Sequence, residues 1–175
     1  MTESRVRPAT PDDLPSIVAI YNHYVETTHV TFDLDPVTVE ARRPWFEAFG
    51  ERGRHRILVG VEGTEVAAYA CSHEFRRKRA YETSVETTVY VRPESLGRGW
   101  GRTLYAALFR ELATEDVHRA YAGVALPNEA SLALHRAFGF REVGTFREVG
   151  RKFGRYWDVC WLERPVGDDA PEAGS

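Results

Sequence analysis

Residues 85–102, VETTVYVRPESLGRGWGR, constrain this chain more than any other stretch, because an alternating strand runs there into a glycine-rich turn and straight on into a helix. Gly97, Gly99 and Gly101 fall at alternate positions. Glycine admits the backbone angles that turn successive amides toward one point, and it leaves room for a ligand to approach the main chain. The run that follows, residues 101–112, carries Leu104, Ala107, Leu108 and Leu112 at the spacing of one buried helical face. The first amides of such a helix have no partner inside it, and its dipole favours negative charge there. The pattern therefore predicts a phosphate cradle; the competing reading is a tight strand-to-helix turn, which does not need three glycines.

The loop reads G-x-G-x-G. It is neither the G-x-G-x-x-G of dinucleotide folds nor the G-x-x-x-x-G-K-[ST] of triphosphate loops, and no lysine is present to reach a terminal phosphate. It also comes late in the chain, after a hairpin of strands.

The 175 residues are 43% hydrophobic, which suits one packed core, so a single domain over residues 1–164 is expected, with a polar and disordered tail over 165–175. A formal charge of -3 argues against a nucleic-acid partner. Cys71 and Cys160 lie in apolar, strand-like surroundings and read as buried free thiols. No apolar run is long enough to span a bilayer and no signal peptide pattern opens the sequence, so the cytoplasm is the expected location. The histidines other than His135 show no ligand spacing, and no metal site is assigned.

A first short strand at residues 5–7 precedes a helix over 11–26, signalled by Thr10, Pro11 and Asp13 and by a stripe of Leu14, Ile17, Val18, Tyr21 and Val25. Thr38 is placed to cap a second helix through Val39, Trp45, Phe46 and Phe49. Strands at 57–61 and 65–71 join at Glu62-Gly63-Thr64, and the strand ending at Val91 extends this antiparallel run. After the glycine loop and its helix come a strand at 120–125, a helix at 128–138 and a closing hairpin of 141–148 with 156–163.

The order β-α-α-β-β-β-α-β-α-β-β, with the glycine loop after the fourth strand, resembles the GNAT superfamily of N-acetyltransferases. A second signature agrees: residues 128–140, NEASLALHRAFGF, are similar to the family's N-x-x-[SA]-x-x-[LF]-[YH]-x-x-x-G-[FY]. Asn22-His23-Tyr24-Val25-Glu26-Thr27, Tyr81, residues 85–91, Leu126-Pro127-Asn128 and Trp157-Asp158-Val159 are similar to the phosphinothricin and methionine sulfoximine N-acetyltransferases. One departure stands out: Leu96 occupies the loop position where the family carries glutamine or arginine.

The resemblance implies an α/β fold with a mixed, mostly antiparallel central sheet, splayed between strands 4 and 5 and flanked by helices. It implies acetyl-CoA as co-substrate, with Val89, Tyr90 and Val91 offering backbone bonds to the pantetheine arm as an added strand would. Gly97, Arg98, Gly99, Trp100, Gly101 and Arg102 would hold the pyrophosphate, and Asn128 would reach the arm, although capping its own helix explains that residue equally well. Glu86 shares a strand face with Thr88 and Tyr90, opposite Val85, Thr87 and Val89. A glutamate there is hard to explain as core; a solvated or edge-facing carboxylate is the ordinary alternative, and the resemblance makes it the general base that frees the acceptor amine. The resemblance also makes His135 the group that protonates the departing thiolate or orients the thioester, against the alternative of a packed helix histidine. Phe32, Arg76, Lys78 and Tyr81, with Glu86, Thr87 and Thr88, match the acceptor pocket, where Arg76 and Lys78 would hold an anionic group. The implied reaction is acetylation of the α-amino group of a small amino-acid-like molecule. Peptide, protein N-terminal or polyamine acetylation, or a regulatory module that binds acyl-CoA without turnover, are the alternatives. A homodimer is implied as well, with Phe153, Tyr156, Trp157 and Trp161 as apolar surface.

Overall fold

The structure, a computed structural model, describes residues 4–167. Within them, strands β1 (Ser4–Pro8), β2 (Arg56–Glu62), β3 (Glu65–Glu74), β4 (Ser84–Val91), β5 (Arg119–Ala125), β6 (Arg141–Lys152) and β7 (Arg155–Pro165) form one sheet. Their spatial order is β1-β2-β3-β4-β5-β7-β6. Every neighbouring pair is antiparallel except β4 and β5, which run parallel. Helices α1 (Leu14–Thr27), α2 (Val39–Phe46), α3 (Trp100–Leu112) and α4 (Glu129–Ala137) flank it.

β2 and β3 are buried over nearly their whole length because helices cover both faces, and their sequences read as continuous apolar runs for that reason. On one face, Leu104, Leu108 and Leu112 of α3 are fully buried with Ala68 and Ala70 of β3, whose small side chains let the helix lie close. On the other, Ile17 and Ile20 of α1 pack with Val59, Val61, Tyr69 and Cys71. Both cysteines are buried and free. Each fully buried leucine stabilises the fold by roughly 1.5–3 kcal/mol.

The sequence-predicted elements appear with shifted ends, each with a local cause. Thr10 and Asp13 form a capping box around a single 3-10 turn, Pro11–Asp13, and Arg7 pairs with Asp13 at 2.6 Å, so α1 proper starts at Leu14. Thr38 caps α2 by accepting from the Ala41 amide, but the helix stops at Phe46 and leaves Phe49 outside it. β6 runs beyond residue 148 to Lys152: Glu148 takes a left-handed backbone (φ 50), an irregularity between Phe146 and Gly150 absorbs the register shift, and pairing with β7 resumes. β7 continues to Pro165, and Val166 is buried with its amide donating to His118, so order extends past the start of the expected tail; residues 168–175 of that tail lie outside the described residues. Among the described residues, no helix is long and apolar enough to cross a membrane.

One glycine joins the sheet to the loop that follows β4. A Cβ at Gly60 would lie 2.4 Å from the Trp100 ring, and that indole is held in place by donating to Glu62 Oε1 at 2.6 Å. Gly60→Ala is therefore expected to overpack the β2–α3 contact and destabilise by about 1–3 kcal/mol. A chemical denaturation midpoint below wild type checks this; an unchanged midpoint would mean that the indole moves aside freely.

Candidate active site

The sheet opens where β4 and β5 part. Their parallel register covers only Ser84–Glu86 against Arg119–Tyr121, and beyond it the strands diverge around a cleft of about 300 Å³. The cleft is lined by Thr87 to Val91 from β4, residues 122–125 from β5, Gly101 and Tyr105 from α3, and Asn128, Ser131, Leu134 and His135 from the start of α4 and its first turns.

The β3–β4 register sets which backbone groups face it. The Arg92 amide donates to Ala67, which makes that pair hydrogen-bonded, and alternation along an antiparallel ladder then directs the Tyr90 and Thr88 main chain toward β3. The main chains of Val89 and Val91 turn into the cleft, and the Val91 carbonyl accepts there from the Tyr24 hydroxyl at 2.5 Å. Of the three residues expected to offer backbone bonds, Tyr90 thus contributes a wall instead: its ring packs against Tyr21, Tyr24 and Tyr69 at centroid distances of 5.4, 5.2 and 5.6 Å.

At the mouth of the cleft lies the glycine loop. Gly97 (φ 74) and Gly99 (φ 81) are both left-handed, and an added Cβ at either would point into open space. Gly99 is the N-cap of α3, so the free amides of that helix begin at the loop. The side chains of Arg98 and Trp100 both bond to Glu62, Arg98 at 3.1 Å and Trp100 at 2.6 Å. The Trp100 hydrogen bond, with Arg98 and Arg92, holds the Glu62 carboxyl below its ordinary value. What the loop offers there is backbone. Arg102 is exposed on the first turn of α3, and Leu96, in the place of the family's polar residue, lines the cleft with its side chain exposed.

Asn128 Oδ1 accepts from the Ser131 amide at 3.2 Å, so it caps α4 while lining the cleft. His135 is buried and has both ring nitrogens engaged. Nδ1 lies 2.7 Å from the Ser131 carbonyl, which can only accept, so Nδ1 carries the proton. Nε2 is then the acceptor for the Tyr105 hydroxyl at 3.1 Å. Burial lowers the affinity of this imidazole for a further proton and keeps it neutral. Tyr105 is fully buried, and burial raises its phenol pKa well above the ordinary value. No local pattern marks Tyr105, because its partner lies thirty residues on.

Glu86 stands on the opposite sheet face from Thr87, as the strand alternation predicts. Thr87 is buried under α3 with its hydroxyl on the Tyr121 carbonyl at 3.3 Å, whereas Glu86 is paired across strands with His73 on one side and Tyr121 on the other. Burial raises the Glu86 pKa, opposed by the nearby charges of His73 and Arg76. A carboxylate so placed is a stronger base than an exposed one.

The remaining acceptor-side residues gather at the β3–β4 connection. Arg76, Lys78 and Tyr81 border an open hollow of about 570 Å³ with Phe75 and Arg77, outside the cleft itself. Phe75 was not foreseen: its ring stacks on Tyr121 at 4.3 Å, meets Tyr81 edge-on at 6.1 Å, and carries the Arg76 guanidinium at 5.1 Å. This ties the connection to the strand beside Glu86. Phe32 lies in neither group and packs over Gly150 of β6. Among the described residues no cluster of side chains has the makeup of a metal site.

Residues 6–161 match the family described as Acetyltransferase (GNAT) domain. The chain is 58% identical over 166 residues to a phosphinothricin N-acetyltransferase of Streptomyces coelicolor, covering 94% of this chain and 97% of that one. It is 34% identical over 158 residues to an L-methionine sulfoximine/L-methionine sulfone acetyltransferase of Pseudomonas paraeruginosa, covering 90% and 92%. Among solved structures, a GNAT superfamily phosphinothricin acetyltransferase from Sinorhizobium meliloti in complex with AcCoA superposes with a TM-score of 0.89 at 30% identity, over 98% of this chain and 95% of that one.

Proposed function

Since this chain belongs to the GNAT acetyltransferase family, we propose that it transfers the acetyl group of acetyl-CoA to the α-amino group of a small amino acid of the phosphinothricin or methionine sulfoximine type. The observation that carries this reading is the pairing of a backbone-lined cleft with a half-buried carboxylate, Glu86, on the sheet beside it. Val89 and Val91 present main-chain groups to an extended ligand, and the amides at the start of α3 suit its phosphates. Bound there, acetyl-CoA supplies an activated acyl group; the rest of the chemistry falls to the chain.

Glu86 is the base in this mechanism. An amino-acid ammonium must lose a proton before its nitrogen can attack, and a carboxylate with a raised pKa takes it, directly or through one water. His135 acts by holding the Tyr105 hydroxyl and Ser131 in place; its Nε2 has no proton to give, so we assign it to positioning and not to acid catalysis. Arg76 and Lys78 supply positive charge for the acceptor's acidic group, and Phe75 and Tyr81 wall its side chain.

The names of the relatives at 58% and 34% identity support the substrate class, since each acts on an amino acid with a tetrahedral phosphorus or sulfur centre. Two free cysteines fit a reducing compartment, and we place the enzyme in the cytoplasm. The far end of the sheet supports a homodimer. β6 is an edge strand, and Val143, Phe146, Val149, Phe153 and Tyr156 on the β6–β7 hairpin are each more than half exposed, an apolar edge that a second copy would cover. Trp157 and Trp161 are half-buried, and Trp157 stacks on His29 of the same chain at 4.1 Å.

The test is release of free CoA thiol across phosphinothricin, methionine sulfoximine, methionine sulfone, common amino acids, a polyamine and a short peptide. Turnover concentrated on the first three is expected. Activity confined to the peptide or polyamine would overturn the acceptor assignment, and CoA binding without any turnover would point to a regulatory module.

A further inference from the structure

The segment joining α1 to α2 borders the cleft, since Val30 is one of its lining residues. Its next residues are fastened from two directions. From α1, the Tyr21 hydroxyl lies 2.8 Å from Thr31 Oγ1 and donates to Asp33 Oδ2 at 2.6 Å. Tyr21 in turn packs edge-on against Tyr90, on the strand that carries Glu86. From the other side comes the end of β6, which is more than a hundred residues away in sequence. Lys152 is 3% exposed, and its ammonium donates to the Thr31 carbonyl at 2.8 Å. Two residues earlier, the Phe32 ring lies so close over Gly150 that a Cβ there would stand 2.1 Å from it.

A buried ammonium costs free energy to desolvate, and lysine is rarely enclosed without a specific partner. Core packing alone would be served better by methionine or leucine at position 152. Here the ammonium donates to one main-chain carbonyl of the segment that borders the cleft, with the Asp33 charge nearby and the Phe153 ring at 5.2 Å, next to a glycine that gives up its side chain to the Phe32 ring. The left-handed Glu148 and the register shift between Phe146 and Gly150 bring these two residues into place.

We propose that Gly150 and Lys152 are positioning residues for the acceptor amine: they latch residues 30–32 so that Val30 presents a fixed wall to the cleft, where the acceptor amine must meet the acetyl group. This rests on the acceptor reading given above, and the latch itself can be tested apart from it. The β6–β7 hairpin, distant from Glu86 in sequence, thereby enters the specificity of the site.

Hydrogen–deuterium exchange on the full chain reads the latch without turnover. In Lys152→Met, and independently in Gly150→Ala, the amides of residues 28–33 are expected to exchange about tenfold faster, the equivalent of one lost hydrogen bond to a charged group, while those of α3 are unchanged. Steady-state kinetics should show the KM for the acceptor rising by about the same factor, with the KM for acetyl-CoA unchanged. Lys152→Gln keeps a donor for the Thr31 carbonyl and should recover part of both effects. Unchanged exchange at 28–33 in both variants overturns the latch. Faster exchange with an unchanged acceptor KM overturns its role in positioning. A wild-type enzyme that acetylates no amine would sink the acceptor reading, and with it the positioning role, whatever exchange reports of the latch.

Discussion

In a Glu86→Gln variant, turnover of the acceptor amine falls by about 10²–10⁴-fold at neutral pH while acetyl-CoA affinity is unchanged. Glutamine preserves the shape and burial of the side chain between His73 and Tyr121 but cannot take a proton. The pH dependence separates this from a packing defect. Burial raises the pKa of Glu86, so in the wild type kcat/KM falls as pH drops through a value above the ordinary carboxylate range. That limb disappears in the variant. Its rate instead rises with pH until the amine loses its proton unaided, so the deficit is largest near neutrality and narrows in alkali. A variant that kept the acid limb, or lost the same factor at every pH, would remove Glu86 from the role of base. Measuring kcat/KM from pH 5 to pH 10 decides between these outcomes.

The second large effect belongs to the loop. Gly99→Val should weaken acetyl-CoA binding by about 100-fold, or ~2.7 kcal/mol, measured by calorimetry. The cause lies in the backbone. Gly99 holds φ at 81, which a β-branched residue adopts only under strain of about 1–3 kcal/mol, and relief of that strain moves the first amides of α3. No protein atom lies within 4 Å of the missing Cβ, so the free protein does not clash with a side chain there. Gly99→Asn provides the contrast. Asparagine tolerates the left-handed region, and that variant should keep most of the affinity. If asparagine and valine weaken binding equally, bulk in the ligand's path and not backbone angle is the reason for the glycine.

Local patterns in the sequence carried the elements that local physics dictates. The Leu104, Leu108 and Leu112 stripe, the Asn128 and Thr38 caps and the turn at Glu62-Gly63-Thr64 are all present in the fold. So does the alternation that sets Glu86 and Thr87 on opposite faces. What stayed hidden depends on residues far apart in the chain. Glu62 looked like a turn residue, yet it anchors both Arg98 and Trp100. Tyr105 carried no local signal, yet its hydroxyl lies 3.1 Å from Nε2 of His135, thirty residues on. Lys152 carried no signal, because a lysine near a hairpin turn is ordinarily solvated, and only the fold brings Thr31 to it. Phe75 gained meaning only when Tyr121 arrived beneath it.

The divergence of β4 from β5 has a further consequence for the protein before it meets its ligand. A strand edge with unpaired main-chain groups is ordinarily a hazard at a protein's surface, because it templates pairing with other chains and so invites aggregation. Here such an edge lies inside the molecule, between α3 and α4 on one side and Tyr24 on the other, in a gap of about 300 Å³. Covered in this way by α3, α4 and Tyr24, the edge offers its main-chain groups inside a cleft and not along the open surface where another chain would pair.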